Sequence, residues 1–453
     1  MSEFETLLSQ IKDYVWGIPL LTFLLGTGFF LTILLRGIQF KYLGYAFKQI
    51  FKSQADSKGD INPYEALMTS LAGAIGTGAI VGVSTALAVG GLGSLFWMWV
   101  TAFLGMATKY AESLLAVKYR TVDRNGEMTG GPMQYMDRGL NLKWMAVLFA
   151  IFGSIAAIGT GNLVQVNSIA DALNEVWSVN AWLTGVVLAI MTAVVLVGGV
   201  KSIGQVAGIL VPFMALFYVV GGLLILAIHA DKIPAAFMMI FDSAFTGSAA
   251  AGGFLGSGVI LVIQLGVSRS VFSNEAGLGI SSIAAAAAKT DSPGRQAMIT
   301  MTGALISTII VCTITGLVLA TTGVLGMTSG TGQILNGAPL AIKAFSSTLV
   351  GGEYIVTIGL ILFAYSTVLA WAYYGEKCFE YLFGERSIVV YRIIYCLLII
   401  PGTALNMAMV WHIADIANGL MVIPNLIALI LLAKVIKNET SKFLGQVERE
   451  GSV

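Results

Sequence analysis

The stretch Leu71–Gly82, LAGAIGTGAIVG, sets four glycines into twelve residues of what otherwise reads as a membrane-crossing helix. Each interior glycine costs about 1 kcal/mol of helix stability relative to alanine. In hydrocarbon, a broken helix also leaves backbone N–H and C=O groups with no water to pair with. A bound ligand that takes up those groups offsets both costs. Close packing against a neighbouring helix is the other use of glycine in such a span.

Composition supplies the membrane. Of 453 residues 57% are hydrophobic and 11% charged, with mean hydropathy +0.85, far from the roughly 25% charge of a soluble domain. A formal net charge of +1 gives no reason to expect nucleic acid or an acidic partner, and no obligatory protein partner is implied. Cys312, Cys378 and Cys396 lie far apart in or beside apolar runs, as free thiols packed like small hydrophobes do. Two histidines argue against a histidine metal centre, and no cofactor is expected.

Eleven runs are long enough to cross about 30 Å of hydrocarbon: 15–35, 65–90, 93–118, 144–173, 180–199, 202–229, 254–288, 296–325, 353–383, 387–408 and 411–436. The first follows an acidic leader with Glu3 and Glu5 and has no small-residue cleavage site, so it reads as an extra helix rather than a cleaved signal. With the N-terminus outside, twenty Lys and Arg fall on the inner side and three, Lys12, Lys232 and Lys343, on the outer. This excess orients the chain with its C-terminus in the cytoplasm of a cell membrane.

One other span is interrupted at mid-depth by polar and small residues: GVSRSVFSNEAGLGISS, Gly266–Ser282. The two interrupted spans are five helices apart. Setting the first helix aside, ten remain in two sets of five, each beginning with an interrupted helix. Five is odd, so the second set enters from the opposite face. The expected fold is an all-α membrane protein, an inverted 5+5 repeat preceded by one helix. Its segments are 1–64 (extra helix and cytoplasmic connection, with a surface helix at most), 65–229 and 230–436 (the repeats) and 437–453 (a cytoplasmic tail). In such layouts discontinuous helices hold a substrate at the midplane.

A break at Gly76, Thr77 and Gly78 starts an outer half-helix near the midplane, and its free N–H groups suit a carboxylate. The carbonyls just before it, Ala72 to Ile75, suit a bare cation. Carbonyls near Phe272 to Glu275 can receive an ammonium. A zwitterion plus a small cation satisfies all of these. In GTGNLVQVN, Gly159–Asn167, Asn162 and Gln165 share one helix face. The longer Gln165 is the better candidate to reach a carboxylate, although such amides also join helices. In FAYSTVLAWAYY, Phe363–Tyr374, the Ser366 and Thr367 hydroxyls are oxygen ligands of the kind Na⁺ takes, or bond back to their own helix. Trp371, one turn on, can wall a small pocket. Arg269, Glu275, Lys109, Glu112 and Asp415 are intramembrane charges and therefore functional suspects. Lys109 and Glu112, three apart, are expected to pair. Arg269 is expected in an outer gate with a carboxylate still to be identified.

GLGSLFWMWVTAFLG (Gly91–Gly105), GGPMQYM (Gly130–Met136) and FSNEAGLG (Phe272–Gly279) resemble segments of the sodium:alanine (alanine or glycine:cation) symporters, and the resemblance extends over nearly the whole chain. It implies a secondary transporter carrying small neutral amino acids, chiefly alanine and glycine, with Na⁺ on a LeuT-type repeat. It further implies that Gly76, Thr77 and Gly78 hold the substrate carboxylate. Phe272, Ser273 and Asn274, with Gly277 of the same segment, border the amino group, and Gln165 and Trp371 complete the site. Ser366 and Thr367 resemble a paired-hydroxyl sodium site completed by the backbone oxygens of Ala72 and Ile75. Where some members of this fold have an Asn just after the first break, Ala79 stands here, which leaves one coupled Na⁺.

Energetics agrees with ion coupling. One cation contributes about 2.3 kcal/mol at 100 mV and roughly 1.4 kcal/mol per tenfold gradient, enough together for several-hundred-fold accumulation of a neutral solute. A channel needs a polar pore with repeated filter groups and an intramembrane enzyme a catalytic motif; neither is visible. The rival is a proton-coupled carrier of the same fold, with Glu112 or Glu275 titrating.

Overall fold

With no water to satisfy peptide groups in a bilayer, a chain this apolar is expected to be helical throughout its spans. The structure, a computed structural model, describes residues 3–52, 57–246, 258–328, 332–405 and 407–450, and nearly all of its regular structure is helix. The elements used below are α1 (Ile18–Leu34), α2 (Pro63–Ala74), α3 (Val81–Gly90), α4 (Gly93–Lys118), α5 (Lys143–Ile158), α6 (Val164–Trp177), α7 (Ala181–Val197) and α8 (Gly199–Ile228). They continue with α9 (Val259–Asn274), α10 (Pro293–Ala304), α11 (Thr313–Thr322), α12 (Gly352–Phe383), α13 (Ser387–Gly402) and α14 (Met407–Leu431).

Among the described residues six helices are long and apolar enough to cross a membrane, and the bent pair α2/α3 makes a seventh. All eleven expected runs coincide with helix, although residues 254–257 and 406 lie outside the described residues. Some runs fall short as single spans for identifiable reasons. The run at 254–288 stops being α-helix at Asn274, and α7 ends at Gly198 before Gly199 turns the chain at φ +61°.

Local sequence explains the boundaries that matter. α2 starts at a capping box, with Asn62 accepting from Glu65 N–H, Glu65 accepting from Asn62 N–H, and Pro63 in the first turn. It ends at Ile75 and Gly76, whose ψ angles of 70° and −151° leave helical space. After a single turn at Thr77–Ala79, α3 departs at 61° to α2. α9 ends where Glu275 adopts φ +59°, followed by Gly277 at +92° and Gly279 at +76°. A short helix, Ser282–Ala286, resumes beyond. The α5/α6 pair is continuous but passes through a π-helical turn at Gly159–Leu163, and α10/α11 through another at Leu305–Cys312. Such turns loosen the ladder without ending it.

Further elements were not expected, among them Glu3–Val15, the strand pair Thr121–Val122 and Met128–Thr129, Pro132–Gln134 with its π-turn, Ile233–Thr246, Gly337–Ser346 and Ala433–Arg449. The last covers most of the segment from residue 437 that was expected to be a cytoplasmic tail. Its Phe443 is buried and fills the space beside Gly294, and Glu450 beyond it meets the Arg295 guanidinium at 2.6 Å. The 36–64 connection carries two short helices, Ile38–Lys41 and Leu43–Ile50, with Ile38, Tyr45, Ala46 and Ile50 buried. α12 and α4 form the centre of the bundle, and Trp371, Tyr373 and Tyr374 of α12 are at most 1% exposed.

Candidate functional site

The two interrupted helices meet. A Cβ placed on Gly78 would sit 2.6 Å from a ring carbon of Phe272 and 3.5 Å from the Phe272 carbonyl, so the start of α3 and the end of α9 face each other at backbone distance. Only glycine allows that approach. A side chain on Gly76 would collide with the Thr367 hydroxyl and come within 3.2 Å of Gln165 Oε1. Gly76, Thr77, Gly78, Gln165, Phe272 and Thr367 therefore surround one point, and Thr77, Gln165 and Thr367 there are at most 1% exposed.

The free backbone groups at this point divide by sign. Thr77 N–H donates to Gln165 Oε1 at 3.3 Å, while the Gln165 amide nitrogen is anchored on Thr160 O at 2.9 Å, inside the π-turn. Gly76 and Gly78 N–H have no acceptor among the described residues. These donors open the α3 side, the positive end of a half-helix. On the α9 side, Ala276 N–H turns to Asn274 Oδ1 (2.9 Å) and Gly277 N–H to Glu112 Oε1 (2.9 Å). That leaves the Phe272 and Ser273 carbonyls without a backbone donor.

The paired hydroxyls converge on the carbonyl end of α2. Thr367 Oγ1 donates to Ala72 O at 2.9 Å and to Phe363 O at 3.0 Å; Ser366 Oγ reaches Phe363 O at 2.9 Å and Ala72 O at 3.4 Å. Back-bonding to α12 is thus present, together with a bond from each hydroxyl across to the carbonyl end of α2. The Ala74 and Ile75 carbonyls accept no hydrogen bond among the described residues. The oxygens of Ala72, Ile75, Ser366 and Thr367 are of the type that hard cations take as ligands.

Other expected residues have different surroundings. Ser273 Oγ lies 3.1 Å from Cys312 Sγ. The Asn274 amide is used up as an end-cap for α9, donating to Ser270 Oγ and Thr308 Oγ1 and accepting from Ala276 N–H. Gly277 faces Leu24 and Leu426, its carbonyl accepting from Asn425, which is a packing role and not a lining one. Asn162 donates to Tyr395 O at 2.8 Å and joins helices. Trp371 packs against Gly161 of the π-turn, with its indole N–H 3.4 Å from Gly73 O. It walls the α2 side of the break. The second interruption also falls later than expected: residues 272–274 are the last turn of α9, and the chain opens from Glu275 onward.

Lys109 and Glu112 do not pair with each other. Lys109 Nζ donates to Asn274 O at 2.8 Å. Glu112 Oε1 accepts from Gly277 N–H, Gly279 N–H and Asn425 Nδ2 at 2.9, 3.1 and 2.7 Å. One helix face thus places a cation on the carbonyl end of α9 and an anion on the amides that follow. Opposite charge is matched to each side of the break.

Arg269 finds its carboxylate in Asp415, 3.8 Å away, and lies over the Trp411 ring at 5.6 Å; that ring in turn packs on Phe272 at 5.4 Å. A cavity of about 430 Å³ lies above this lid, lined by Lys12, Trp16, Gln264, Arg269, Phe272 and Asp415 among others. At the opposite end the chain is tightly sewn. Arg120 donates to Ala286 O, Ala288 O and Lys58 O at 2.9, 2.6 and 2.8 Å. Asp60 and Ile61 N–H bond Ala287 O, and Lys289 N–H bonds Ile61 O at 2.7 Å. These bonds join the approach to α2 to the exit from the second break. Asp60 also accepts from Met128 N–H at 2.7 Å, and burial raises its carboxyl above the usual range.

Sequence reasoning missed Asn425, Trp411, Thr315 and Thr160. Thr315 donates to Ala79 O at 3.0 Å and pairs with Tyr218; Thr160 accepts from Asn418. Asn425 and Asn418 are amides inside an apolar run, and that was the available signal.

Residues 1–452 match the sodium:alanine symporter family. The chain is 53% identical over 447 residues to the sodium/alanine symporter AgcS of Methanococcus maripaludis, with 97% of each chain covered. It is 33% identical over 438 residues to the amino-acid carrier protein AlsT of Bacillus subtilis, covering 96% of this chain and 91% of that one. Among solved structures it is similar to MhsT in complex with L-phenylalanine, with TM-score 0.59 at 15% identity over 83% of this chain and 89% of the other. At that identity the likeness concerns the fold.

Proposed function

Because the chain belongs to the sodium:alanine symporter family and is thus a Na⁺-coupled amino-acid symporter in a membrane, we propose that its cargo is a small neutral amino acid, chiefly alanine and glycine. One observation carries this reading: where Gly78 stands against Phe272, the N–H groups of Gly76 and Gly78 lack an acceptor and the Phe272 carbonyl lacks a donor among the described residues. A zwitterion with a minimal side chain matches both ends. Its carboxylate takes the N–H groups of Gly76 to Gly78, and the Gln165 amide rotates to serve it. Its ammonium takes the carbonyls of Phe272 and Ser273. The bulk of Phe272 against Gly78, and of Trp371 against Gly161, limits the side chain.

Na⁺ is the second cargo, held by the Ala72 and Ile75 carbonyls and the Ser366 and Thr367 hydroxyls. The ion and the amino acid share α2, with its carbonyl end serving one and the N–H groups just beyond serving the other, so each arrival favours the other electrostatically. The interrupted helices at the head of each set of five, and a short helix after the second span of each set (Pro132–Gln134 and Gly337–Ser346), support eleven spans in an inverted 5+5 repeat. The charge distribution supports an outer N-terminus. On that orientation the Arg269–Asp415 lid faces outside and the Arg120 clamp faces the cytoplasm, the two ends that alternating access must open in turn.

Counterflow in liposomes tests the reading. Vesicles loaded with alanine should take up labelled alanine and glycine only when Na⁺ is present, at any pH from 6 to 8. Uptake that persists without Na⁺ and follows a pH gradient instead favours the proton-coupled alternative.

A further inference from the structure

Among the described residues Glu275 is a bundle-centre carboxylate faced by Lys109 and Trp371 but without a close partner. It is 0% exposed, and neither carboxylate oxygen has a hydrogen bond of ordinary geometry. It stands between the two breaks: a Cβ on Gly73 of α2 would lie 3.0 Å from Glu275 Oε1 and the same distance from the Tyr374 ring. The groups that face it are Lys109 of α4, and Trp371 and Tyr374 of α12. Tyr374 spends its hydroxyl hydrogen on Thr69 O at 3.2 Å, and Trp371 its N–H on Gly73 O. Lys109 is committed to Asn274 O, and among the described residues it forms no ion pair with Glu275.

Charge counting sharpens the point. Lys109, Glu112 and Glu275 are all fully buried. Glu112 has three donors and Lys109 a carbonyl, so each is solvated by protein. Glu275 is not, and when all three are ionised they carry one negative charge in excess. An ionised carboxylate without partners in a low-dielectric interior is among the costliest arrangements a protein can hold. The chain beside it offers a further oxygen, since the Ala74 carbonyl accepts no hydrogen bond among the described residues.

We infer that Glu275 is the seat of a second coupled monovalent cation, distinct from the Ala72–Thr367 position and lying between Gly73 of α2 and the break after α9. The inference rests on the reading of the protein as a Na⁺-coupled alanine carrier and departs from a single-cation stoichiometry. Sodium and a proton share the required chemistry, a single positive charge borne by the Glu275 carboxylate, and the experiment separates them.

Wild-type protein and Glu275→Gln are reconstituted in liposomes held at zero potential, and the outward alanine ratio that just stops net flux is measured. Under a tenfold inward Na⁺ gradient at equal pH, one Na⁺ per alanine gives a null ratio of about tenfold and two give about a hundredfold. With Na⁺ equal on both sides and a tenfold proton gradient, a coupled proton gives about tenfold and no proton gives unity. The expected result is about a hundredfold in the first condition, or about tenfold in both, for wild type. The Gln variant should fall to tenfold with Na⁺ and to unity with protons. A wild-type protein at tenfold with Na⁺ and unity with protons overturns the inference, whether or not the variant folds. So does a variant that keeps the wild-type ratios while its half-saturating alanine rises, since the carboxylate would then meet the substrate ammonium. Absence of alanine flux in wild type sinks the functional reading and this inference with it, whereas flux coupled to one Na⁺ sinks the inference alone.

Discussion

Replacing Thr367 by Val keeps the shape of the side chain and removes one oxygen from the set proposed to hold Na⁺. In the structure that oxygen bonds Ala72 O at 2.9 Å and Phe363 O at 3.0 Å, and the side chain is 1% exposed. A hydrogen bond or ligand contact to a charged group is worth about 1.5–3 kcal/mol. The half-saturating Na⁺ concentration for alanine uptake should therefore rise by roughly 10- to 150-fold. Phe363 O retains its own helical partner, so stability should change little, and Thr367→Ser should restore most of the affinity. The assay is a Na⁺ titration of initial uptake rates at fixed alanine, with an alanine titration repeated at the highest Na⁺. If Na⁺ is saturating there, half-saturating alanine should approach the wild-type value. A Na⁺ half-saturation that moves less than about threefold, or an alanine defect that no Na⁺ concentration repairs, refutes the assignment of the hydroxyls to the ion.

Three other substitutions probe separate parts of the account. Lys377→Met leaves Asp123, Glu127 and Glu380, now 3.6, 3.5 and 2.9 Å from the ammonium, without their shared cation. Removing one partner of a buried ion pair costs about 3–5 kcal/mol, so thermal unfolding in detergent should shift down by several degrees; an unchanged midpoint contradicts the burial argument. Arg120→Gln removes most of the donors to Ala286, Ala288 and Lys58, which should favour opening at that end by roughly 2 kcal/mol. Accessibility of a cysteine placed beside the clamp to a reagent on the cytoplasmic side should rise tens of fold. Trp371→Phe frees space near Gly161 and Gly73, and uptake of 2-aminobutyrate should improve about fourfold relative to alanine, the value of one buried methylene. Unchanged selectivity removes Trp371 from the pocket.

The fold was legible because hydrophobic runs and paired glycine interruptions are one-dimensional signals. Leu71–Gly82 breaks where its glycines stand, and Gly78 meets Phe272 as two opposed half-helices require. The hydroxyl pair at Ser366 and Thr367 is legible from residue chemistry, and its pairing with the Ala72 carbonyl is what the family resemblance implies. What stayed hidden depends on rotation about helix axes. Nothing in FSNEAGLG distinguishes Asn274, whose amide is consumed in capping α9, from a residue that faces a ligand. Gly277 reads as part of the interruption, and only the packing of α1 and α14 shows that it faces Leu24 and Leu426. The spacing of Lys109 and Glu112 suggested an internal pair, yet the orphaned groups on either side of a helix break attract each charge more strongly than they attract one another. The π-turn at Gly159–Leu163, which aims Gln165 at Thr77, has no periodic signature of its own.

The most direct test is an experimental structure of the protein with alanine and Na⁺ bound. The account predicts alanine density between Gly78 and Phe272, with the carboxylate on the N–H groups of Gly76–Gly78, the ammonium on the Phe272 and Ser273 carbonyls, and an ion touching Thr367. Alanine found instead in the vestibule beside Arg269 and Asp415, with α2 and α3 straightened into one continuous helix, would contradict it.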